Sequence, residues 1–449
     1  MARRGDGDEI SQALRAAAHA IDGDDYAPLL NAVTPETRLV LLGEASHGTH
    51  DFYAVRAAIT QQLIEHHGFC AVIVEADWPD AYRVNRYVRG IDGDVDADGA
   101  LGGFRRFPQW MWRNRDVVAF VEWMRSHNRG LPEGRRAAGF YGMDLYSLYT
   151  SIEEVLNYLE RVDPAAAARA RDRYGCFEDF EDDPQSYGRA AGFDLSHNCR
   201  EEAIAQMLEL QRLAAERAAR DGKCHEDESF YAEQNAVLVK NAEEYYRQMF
   251  VGRLDTWNLR DTHMVDTIER LLAHLDRTCG SPTRAVVWAH NSHLGDATHT
   301  EAAERGEINV GSLSRGRWGG AVLNVGFTTH HGTVAAASRW GGTVERKRVR
   351  DSLVGSYERL LHDVGLPRFL LMMRGASPEV RDVLETPRLE RAIGVIYRPE
   401  TERYSHYFEA TLAKQFDAVI HIDHTRALMP LEANAEFQAE QAETYPSGL

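Results

Sequence analysis

The fold of this chain is indicated by the stretch Arg38-Leu-Val-Leu-Leu-Gly-Glu-Ala-Ser-His-Gly-Thr-His-Asp51. Its first half is a short, nearly continuous apolar run, which is typical of a strand buried on both faces of a parallel sheet. The run ends at Gly43, and polar side chains follow at once: Glu44, Ser46, His47, Thr49, His50 and Asp51. In open α/β sheets, functional groups collect beyond the carboxyl ends of the strands. The alternative is a polar turn before a helix, with Ser46 or Thr49 as its N-cap.

A helix and a second strand follow, in a βαβ pattern. Apolar residues recur at helical spacing through residues 52–67, and Gly68 is a typical helix end. The stretch Ala71-Val-Ile-Val-Glu-Ala-Asp77 predicts another buried strand, which runs into the carboxylates Glu75 and Asp77. Because sequential strands are usually neighbours, these two strand ends are expected side by side.

Two later predicted strands also end in carboxylate or histidine side chains. Residues 138–144 end in Asp144, and residues 284–293 run from an apolar strand into His290 and His293. Further strands are predicted at 321–327, 369–372, 392–397 and 418–422. The carboxyl ends of parallel strands meet at one edge of a sheet, so these histidines and carboxylates are predicted to converge on one crevice.

These elements predict an α/β protein with three α/β/α layers and a mainly parallel central sheet. Residues 1–145 are predicted to form the first part of the α/β core. Residues 146–280 form a helical insertion over the active-site crevice, and residues 281–449 form the second part of the core with a C-terminal helix from Glu432. Residues 79–118 predict either a functional loop or a run of short helices.

Composition excludes several classes of protein. The formal charge of -18 argues against a nucleic-acid-binding surface, which needs a basic face. No apolar run is long enough for a membrane span, and the first residues show no signal peptide. The five cysteines are scattered, which predicts neither a disulfide framework nor a zinc cluster and favours a reducing cytoplasm. The oligomeric state is not indicated by the sequence.

The predicted cluster suits general acid-base hydrolysis. A histidine has an unperturbed pKa near 6.5, so it can deprotonate water at neutral pH, and a carboxylate on its other ring nitrogen fixes its tautomer. Arg56 follows His47 by about two turns of the next helix. Its guanidinium would stabilise a carboxylate or a developing oxyanion.

Several motifs together resemble those of the erythromycin esterase family. The resemblance runs from about residue 35 to residue 425, and the order and spacing of the motifs carry it rather than any single one. The motifs are Gly43-Glu-Ala-Ser-His47, Arg56, Val74-Glu-Ala-Asp77, Asn85-Arg-Tyr-Val88, Tyr141-Gly-Met-Asp144, Ala289-His-Asn-Ser-His293, Ser405-His-Tyr-Phe408 and Phe416-Asp-Ala-Val-Ile-His421.

The resemblance implies hydrolysis of a small-molecule ester or lactone, without a metal or another cofactor. It implies that His47 is the base that activates water, with Glu44, Arg56, Glu75 and His290 as catalytic companions. The candidate binding residues are Asp144, His293, Arg260 and Trp110. Macrolide-active members carry a bulky apolar residue after the motif histidine, where this chain has Gly48. A macrolide substrate is therefore left open.

Four alternatives remain at this stage. A metal-dependent hydrolase would use His47 with His50, or His290 with His293, together with Glu75. A serine nucleophile is disfavoured, because Ser46 lacks the Gly-x-Ser-x-Gly elbow. A non-catalytic relative would hold a small ligand in the same pocket, and an acyltransferase would use an alcohol or amine in place of water. His330 and His331 are predicted to lie in a hairpin rather than to bind a metal.

Overall fold

A computed structural model describes residues 4–91, 93–180, 184–193, 198–221, 226–250, 253–433 and 437. It shows a mixed α/β fold with a large, mostly parallel central sheet and many helices, which confirms the predicted fold class. The chain divides into two compact units. The first comprises residues 1–72, 87–139 and 284–449, and the second comprises residues 73–86 and 140–283. The boundaries proposed at 145/146 and 280/281, and the place of the helical insertion, stay predictions.

The strands of the first unit form a mixed sheet. In chain order the strands among the described residues of both units are β1 (His19–Ala20), β2 (Leu39–Leu42), β3 (Ala71–Asp77), β4 (Gly139–Asp144), β5 (Ala285–Trp288), β6 (Val322–Ala337), β7 (Val344–Val349), β8 (Arg368–Met372), β9 (Arg388–Arg391), β10 (Tyr407–Ala410) and β11 (Ala418–Thr425). Within the first unit the order is β1-β8-β11-β6-β2-β5, in which β11, β6, β2 and β5 are parallel to one another. Strand β2 lies between β5 and β6 and is parallel to both, and all four of its residues are buried. The opening stretch therefore supplies a central strand.

Antiparallel pairs complete the first unit. Strand β8 pairs antiparallel with β11 and with β1, and β7 pairs antiparallel with the far half of β6. Strands β9 and β10 form a separate two-stranded ribbon. Strands β3 and β4 are neighbours, and most of the residues of each belong to the second unit.

The helices follow the apolar periodicity of the sequence. In chain order they are α1 (Arg4–Ala17), α2 (Ala27–Asn31), α3 (His50–His67), α4 (Trp78–Val88), α5 (Ala97–Ala100), α6 (Arg115–Gly130), α7 (Leu148–Val162), α8 (Pro164–Tyr174), α9 (Pro184–Phe193), α10 (Arg200–Asp221), α11 (Glu226–Gln248), α12 (Arg253–Cys279), α13 (Asn291–Leu294), α14 (Val310–Trp318), α15 (Tyr357–His362), α16 (Pro378–Glu385), α17 (Glu402–Ser405) and α18 (Leu412–Gln415). In the second unit, α11 packs against α7, α9, α10 and α12. Among the described helices, none is sufficiently long and apolar to cross a membrane.

Two local predictions differ from the structure. Residues 392–397 are not a strand: the Ile393 N–H donates to the Ala45 carbonyl, so this segment binds the loop after β2 instead of a ladder. His330 and His331 lie within the long strand β6, and the hairpin follows it at residues 337–344. Residues 79–118 contain short helices, which is one of the two predicted possibilities. The predicted C-terminal helix lies outside the described residues, apart from 432, 433 and 437.

The cysteines also differ from the prediction. Cys176 and Cys199 form a disulfide with a Cα–Cα distance of 5.9 Å, although 23 residues separate them in sequence. Both lie in the helical region of the second unit, where a short 3-10 helix at Gly175–Phe180 and the residue before α10 meet. The sequence predicted no disulfide framework, and it did not indicate this single bond because sequence spacing does not show which distant residues fold together. The prediction of a cytoplasmic location loses that support.

Candidate active site

The end of β2 places Glu44 and His47 together in the first unit. The His47 Nδ1 lies 2.9 Å from the Glu44 Oε1, and both side chains are buried. A carboxylate can only accept a hydrogen bond, so the His47 Nδ1 carries the proton and donates it. The lone pair of the neutral ring is therefore on Nε2, where it can accept a proton from another molecule.

Arg56, on α3, fixes the other oxygen of the same carboxylate. Its NH2 group donates to the Glu44 Oε2 at 2.7 Å. The guanidinium carbon lies 4.4 Å from the Tyr53 ring centroid and 5.0 Å from that of Trp288, and the side chain is only 1% exposed. Of the two roles predicted for Arg56, the geometry shows the contact with a carboxylate. The cation acts on Glu44, and Glu44 in turn orients His47.

His290 follows β5 and is the N-cap of the short helix α13. Its Nδ1 accepts a hydrogen bond from the Ser292 backbone N–H at 3.2 Å, and the Ser292 Oγ lies 2.8 Å from the same nitrogen. The centroids of the His47 and His290 rings are 4.7 Å apart, with an angle of 45° between the planes. The predicted convergence of the ends of β2 and β5 therefore brings these two histidines into contact.

Asn291 joins the ends of β2 and β5 to the interior of β6. Its backbone N–H donates to the Glu44 carbonyl at 2.8 Å. Its side-chain amide donates to the Phe327 carbonyl at 2.7 Å and accepts from the Phe327 N–H at 3.2 Å, on β6. A side chain at Gly43 would overlap this amide, so glycine is needed where β2 ends.

The residue after the motif histidine is also constrained by close packing. A Cβ on Gly48 would overlap the backbone of Ala335 on β6, and the Ala335 N–H donates to the Gly48 carbonyl at 2.9 Å. The neighbouring Ser46 hydroxyl hydrogen-bonds the Thr49 hydroxyl. Thr49 is the N-cap residue of α3, yet its side chain makes no cap bond. The structure therefore confirms Thr49 as the N-cap residue by position, but its side chain does not cap the helix.

Three other residues predicted for the site, His50, Trp110 and His293, also lie in the first unit. His50 points its Nδ1 at the Asp116 Oδ1, 2.7 Å away, and this hydrogen bond raises the pKa of His50. His293 is buried on α13, and Trp110 is buried in a short 3-10 helix of the first unit. Among the described residues, no group of three or more His, Cys, Asp and Glu side chains is placed to hold a metal ion.

A second polar cluster lies within the second unit. Arg260, on α12, binds both oxygens of Asp144 at 2.9 and 2.7 Å and the Glu75 Oε1 at 2.8 Å. The Tyr146 ring covers the guanidinium at 4.8 Å. Two of the predicted binding residues, Asp144 and Arg260, thus meet Glu75, while the catalytic role of Glu75 stays a prediction.

Sequence reasoning missed Asn291 and Ser292, although it quoted both within the motif around His290. The only indication in the sequence was that an amide and a hydroxyl side chain follow a candidate catalytic histidine. Their contacts involve backbone groups, which are not readable from residue type.

Comparisons with known proteins agree on one family. The model of the Erythromycin esterase family matches residues 64–425, a range that includes His290 and begins after His47. A curated protein from Escherichia coli, erythromycin esterase type II, is 21% identical over 415 residues, which cover 89% of this chain and 92% of that protein.

Solved structures share the fold. A succinoglycan biosynthesis protein has a TM-score of 0.75 at 20% identity, and covers 95% of this chain and 100% of its own. A protein from Bacillus cereus has a TM-score of 0.76 at 18% identity, with 95% and 99% covered. A mutant erythromycin esterase in its open conformation has a TM-score of 0.66 at 17% identity, with 93% and 96% covered.

Proposed function

This chain belongs to the erythromycin esterase family, and from that premise we propose that it hydrolyses a small-molecule ester or lactone with a water molecule activated by His47. The observation that carries the proposal is the hydrogen bond of 2.9 Å between the His47 Nδ1 and the Glu44 carboxylate, beside the ring of His290. A neutral imidazole held in this way is the general base that ester hydrolysis requires.

In the first step, His47 Nε2 takes a proton from water while the water oxygen attacks the carbonyl carbon. The Glu44 carboxylate stabilises the imidazolium that forms, because it accepts the hydrogen bond of the opposite ring nitrogen. The π electrons of the carbonyl move onto its oxygen and give a tetrahedral oxyanion.

In the second step, the oxyanion collapses and the carbon–oxygen bond to the leaving group breaks. The imidazolium of His47 returns its proton to the departing alkoxide, so the products are a carboxylic acid and an alcohol. The Nε2–H of His290 is the donor that we assign to the oxyanion, since a fixed donor in a buried site stabilises developing charge.

Arg56 supports the reaction from behind Glu44. Because Arg56 is buried beside Tyr53 and Trp288 and bonded to Glu44, its contribution is to hold the carboxylate in its orientation toward His47. No step of this mechanism uses a metal ion, and we propose metal independence on that basis. The identity of the ester stays open, and a macrolide is one candidate to be tested.

Hydrolysis is tested by mass spectrometry on a panel of macrolides and of small aryl and alkyl esters. We expect the mass of one water to be added to a substrate by the wild type, with and without a chelator. His47→Ala should lower turnover by roughly two to four orders of magnitude. His66→Ala changes an exposed histidine near the end of helix α3, and it is the control that should keep full activity.

Three outcomes contradict parts of the proposal. Loss of activity in the chelator would indicate a metal-dependent hydrolase. A His47→Ala protein with near-full activity would remove His47 as the base. Retention of a ligand without any product, across the whole panel, would favour a non-catalytic binding protein, whereas transfer of the acyl group to an added alcohol or amine would identify an acyltransferase.

A further inference from the structure

We propose that Ser292 is a positioning residue that fixes the tautomer of His290, so that Nε2 of this ring carries the proton. The inference concerns the ring itself, and it rests on the proposed function only for its effect on catalysis. In that tautomer His290 presents a hydrogen-bond donor at Nε2, whereas His47 presents an acceptor at Nε2, because their Nδ1 atoms have different partners.

The direction of one hydrogen bond decides the tautomer. The Ser292 backbone N–H can only donate, and it points at the His290 Nδ1 from 3.2 Å. Nδ1 must therefore carry the lone pair, which leaves the single proton of the neutral ring on Nε2. The Ser292 Oγ, 2.8 Å from Nδ1, supplies a second donor to the same lone pair.

Contacts on both sides hold Ser292 in this place. Asn309, which is buried and caps α14, donates from its Nδ2 to the Ser292 carbonyl at 2.8 Å. On the other side, the Asn291 N–H is bonded to the Glu44 carbonyl. The backbone at residues 291–292 is thus bonded to Asn309 at the start of α14 and to Glu44 after β2. Because this backbone is fixed, the Ser292 hydroxyl is directed at the His290 ring.

His47 and His290 are held in opposite tautomers. The carboxylate of Glu44 is an acceptor, so it places the proton of His47 on Nδ1 and leaves Nε2 basic. Ser292 provides donors, so it places the proton of His290 on Nε2. Two neighbouring rings of one residue type therefore offer an acceptor and a donor, which is what activation of water and stabilisation of an oxyanion require.

The test is nitrogen-15 NMR of the full-length protein labelled at histidine, at a pH where the rings are neutral and without any substrate. A His290→Gln spectrum identifies the signals of His290. We expect Nε2 of His290 to be protonated in the wild type. In Ser292→Ala the ratio of the Nε2–H to the Nδ1–H form should fall roughly two- to tenfold, the factor that one hydrogen bond supplies. Ser292→Thr should restore the wild-type ratio.

A matched control is present in the chain. The His330 Nδ1 accepts from the Ser352 N–H at 3.4 Å and lies 2.5 Å from the Ser352 Oγ. Ser352→Ala should therefore change the signals of His330 and leave those of His290 unchanged. A wild-type His290 protonated on Nδ1, or a ratio unaffected by Ser292→Ala, would overturn the inference.

The kinetic consequence is measured separately. On an ester that the wild type hydrolyses, Ser292→Ala should lower kcat with little change in KM, and Ser292→Thr should recover it. If the wild type hydrolyses no ester, the proposed function fails while the NMR result still decides the role of Ser292.

Discussion

The base proposed at His47 depends on a buried ion pair. Glu44 and Arg56 are each 1% exposed, and each would be costly to bury alone. Both oxygens of the carboxylate are occupied, one by His47 and the other by Arg56, and two aromatic rings flank the guanidinium. The tautomer of His47 is therefore set by a residue that is itself fixed by a buried cation.

Glu44→Gln tests this dependence at the residue scale. Glutamine can donate its amide N–H to the His47 Nδ1, which would move the ring proton to Nε2 and remove the basic nitrogen. We expect kcat/KM to fall by roughly two to four orders of magnitude. The unpaired Arg56 should also cost about 3 to 5 kcal/mol of the free energy of unfolding. Steady-state kinetics and urea titration measure the two effects.

A different result would separate the two parts of this argument. Normal kinetics in Glu44→Gln would show that the carboxylate does not control the base. Unchanged stability would show that Arg56 finds another partner.

At the scale of elements, Asn291 continues the sheet where β2 leaves it. Strand β2 ends beside Val325 of β6, and the next backbone groups along β6 on that side are bonded by the Asn291 amide. The same residue holds the Glu44 carbonyl through its own N–H. One residue thereby connects the ends of β2 and β5, which carry His47 and His290, to the interior of β6.

A double-mutant cycle of Gly43 and Asn291 tests this arrangement. Asn291→Ala should cost about 2 to 4 kcal/mol of the free energy of unfolding, because it leaves buried peptide groups of Phe327 unsatisfied. Gly43→Ala should be destabilising because its Cβ would overlap the Asn291 amide. In the double variant that overlap is gone, so the combined loss should be smaller than the sum of the single losses.

Denaturant titration of the four proteins measures the coupling. Additive losses would mean that Gly43 is required for another contact, of which the Val325 carbonyl is the next nearest. Asn291→Asp keeps the acceptor and loses the donor, so its free energy of unfolding should lie between those of the wild type and Asn291→Ala.

The sequence predicts the elements of the site better than the contacts that hold it. Glu44 and His47 are three residues apart at a strand end, so their contact depends only on the local backbone and can be predicted from the sequence. Asn291 could not be assigned because its partners, Phe327 and the Glu44 carbonyl, are backbone groups brought near by the parallel sheet. Ser292 contacts His290 two residues before it, but residue type does not show the direction of that hydrogen bond. The end of β6 was missed because its extension pairs with β7, a contact between strands that apolar periodicity alone does not show.

At the scale of the whole molecule, one buried carboxyl couples the fold to pH. Glu390, on β9, is 1% exposed, and burial raises its pKa to about 8. The Gln415 Nε2 donates to its Oε2 at 2.5 Å. The folded chain therefore keeps this acid protonated at neutral pH, while the unfolded chain ionises it near pH 4.5.

The sign of the pH dependence follows from these two values. Between pH 4.5 and about 8, unfolding releases the proton of Glu390, so this residue lowers the free energy of unfolding as the pH rises. Its contribution changes by up to about 1.4 kcal/mol per pH unit. Below that interval both states are protonated, and above it both are ionised, so the contribution is constant. Glu390→Gln removes the titrating group and keeps an acceptor for Gln415.

We expect Glu390→Gln to unfold at nearly the wild-type urea concentration at pH 4.5 and at a higher one at pH 8. Glu409→Gln, at an exposed position of the paired strand β10, is the control and should show a constant difference from the wild type. The comparison of variant with wild type at each pH cancels every other titrating group. If the advantage of Glu390→Gln does not grow with pH, the carboxyl is already ionised in the folded chain, and a buried charge at this position must then be stabilised by partners other than Gln415.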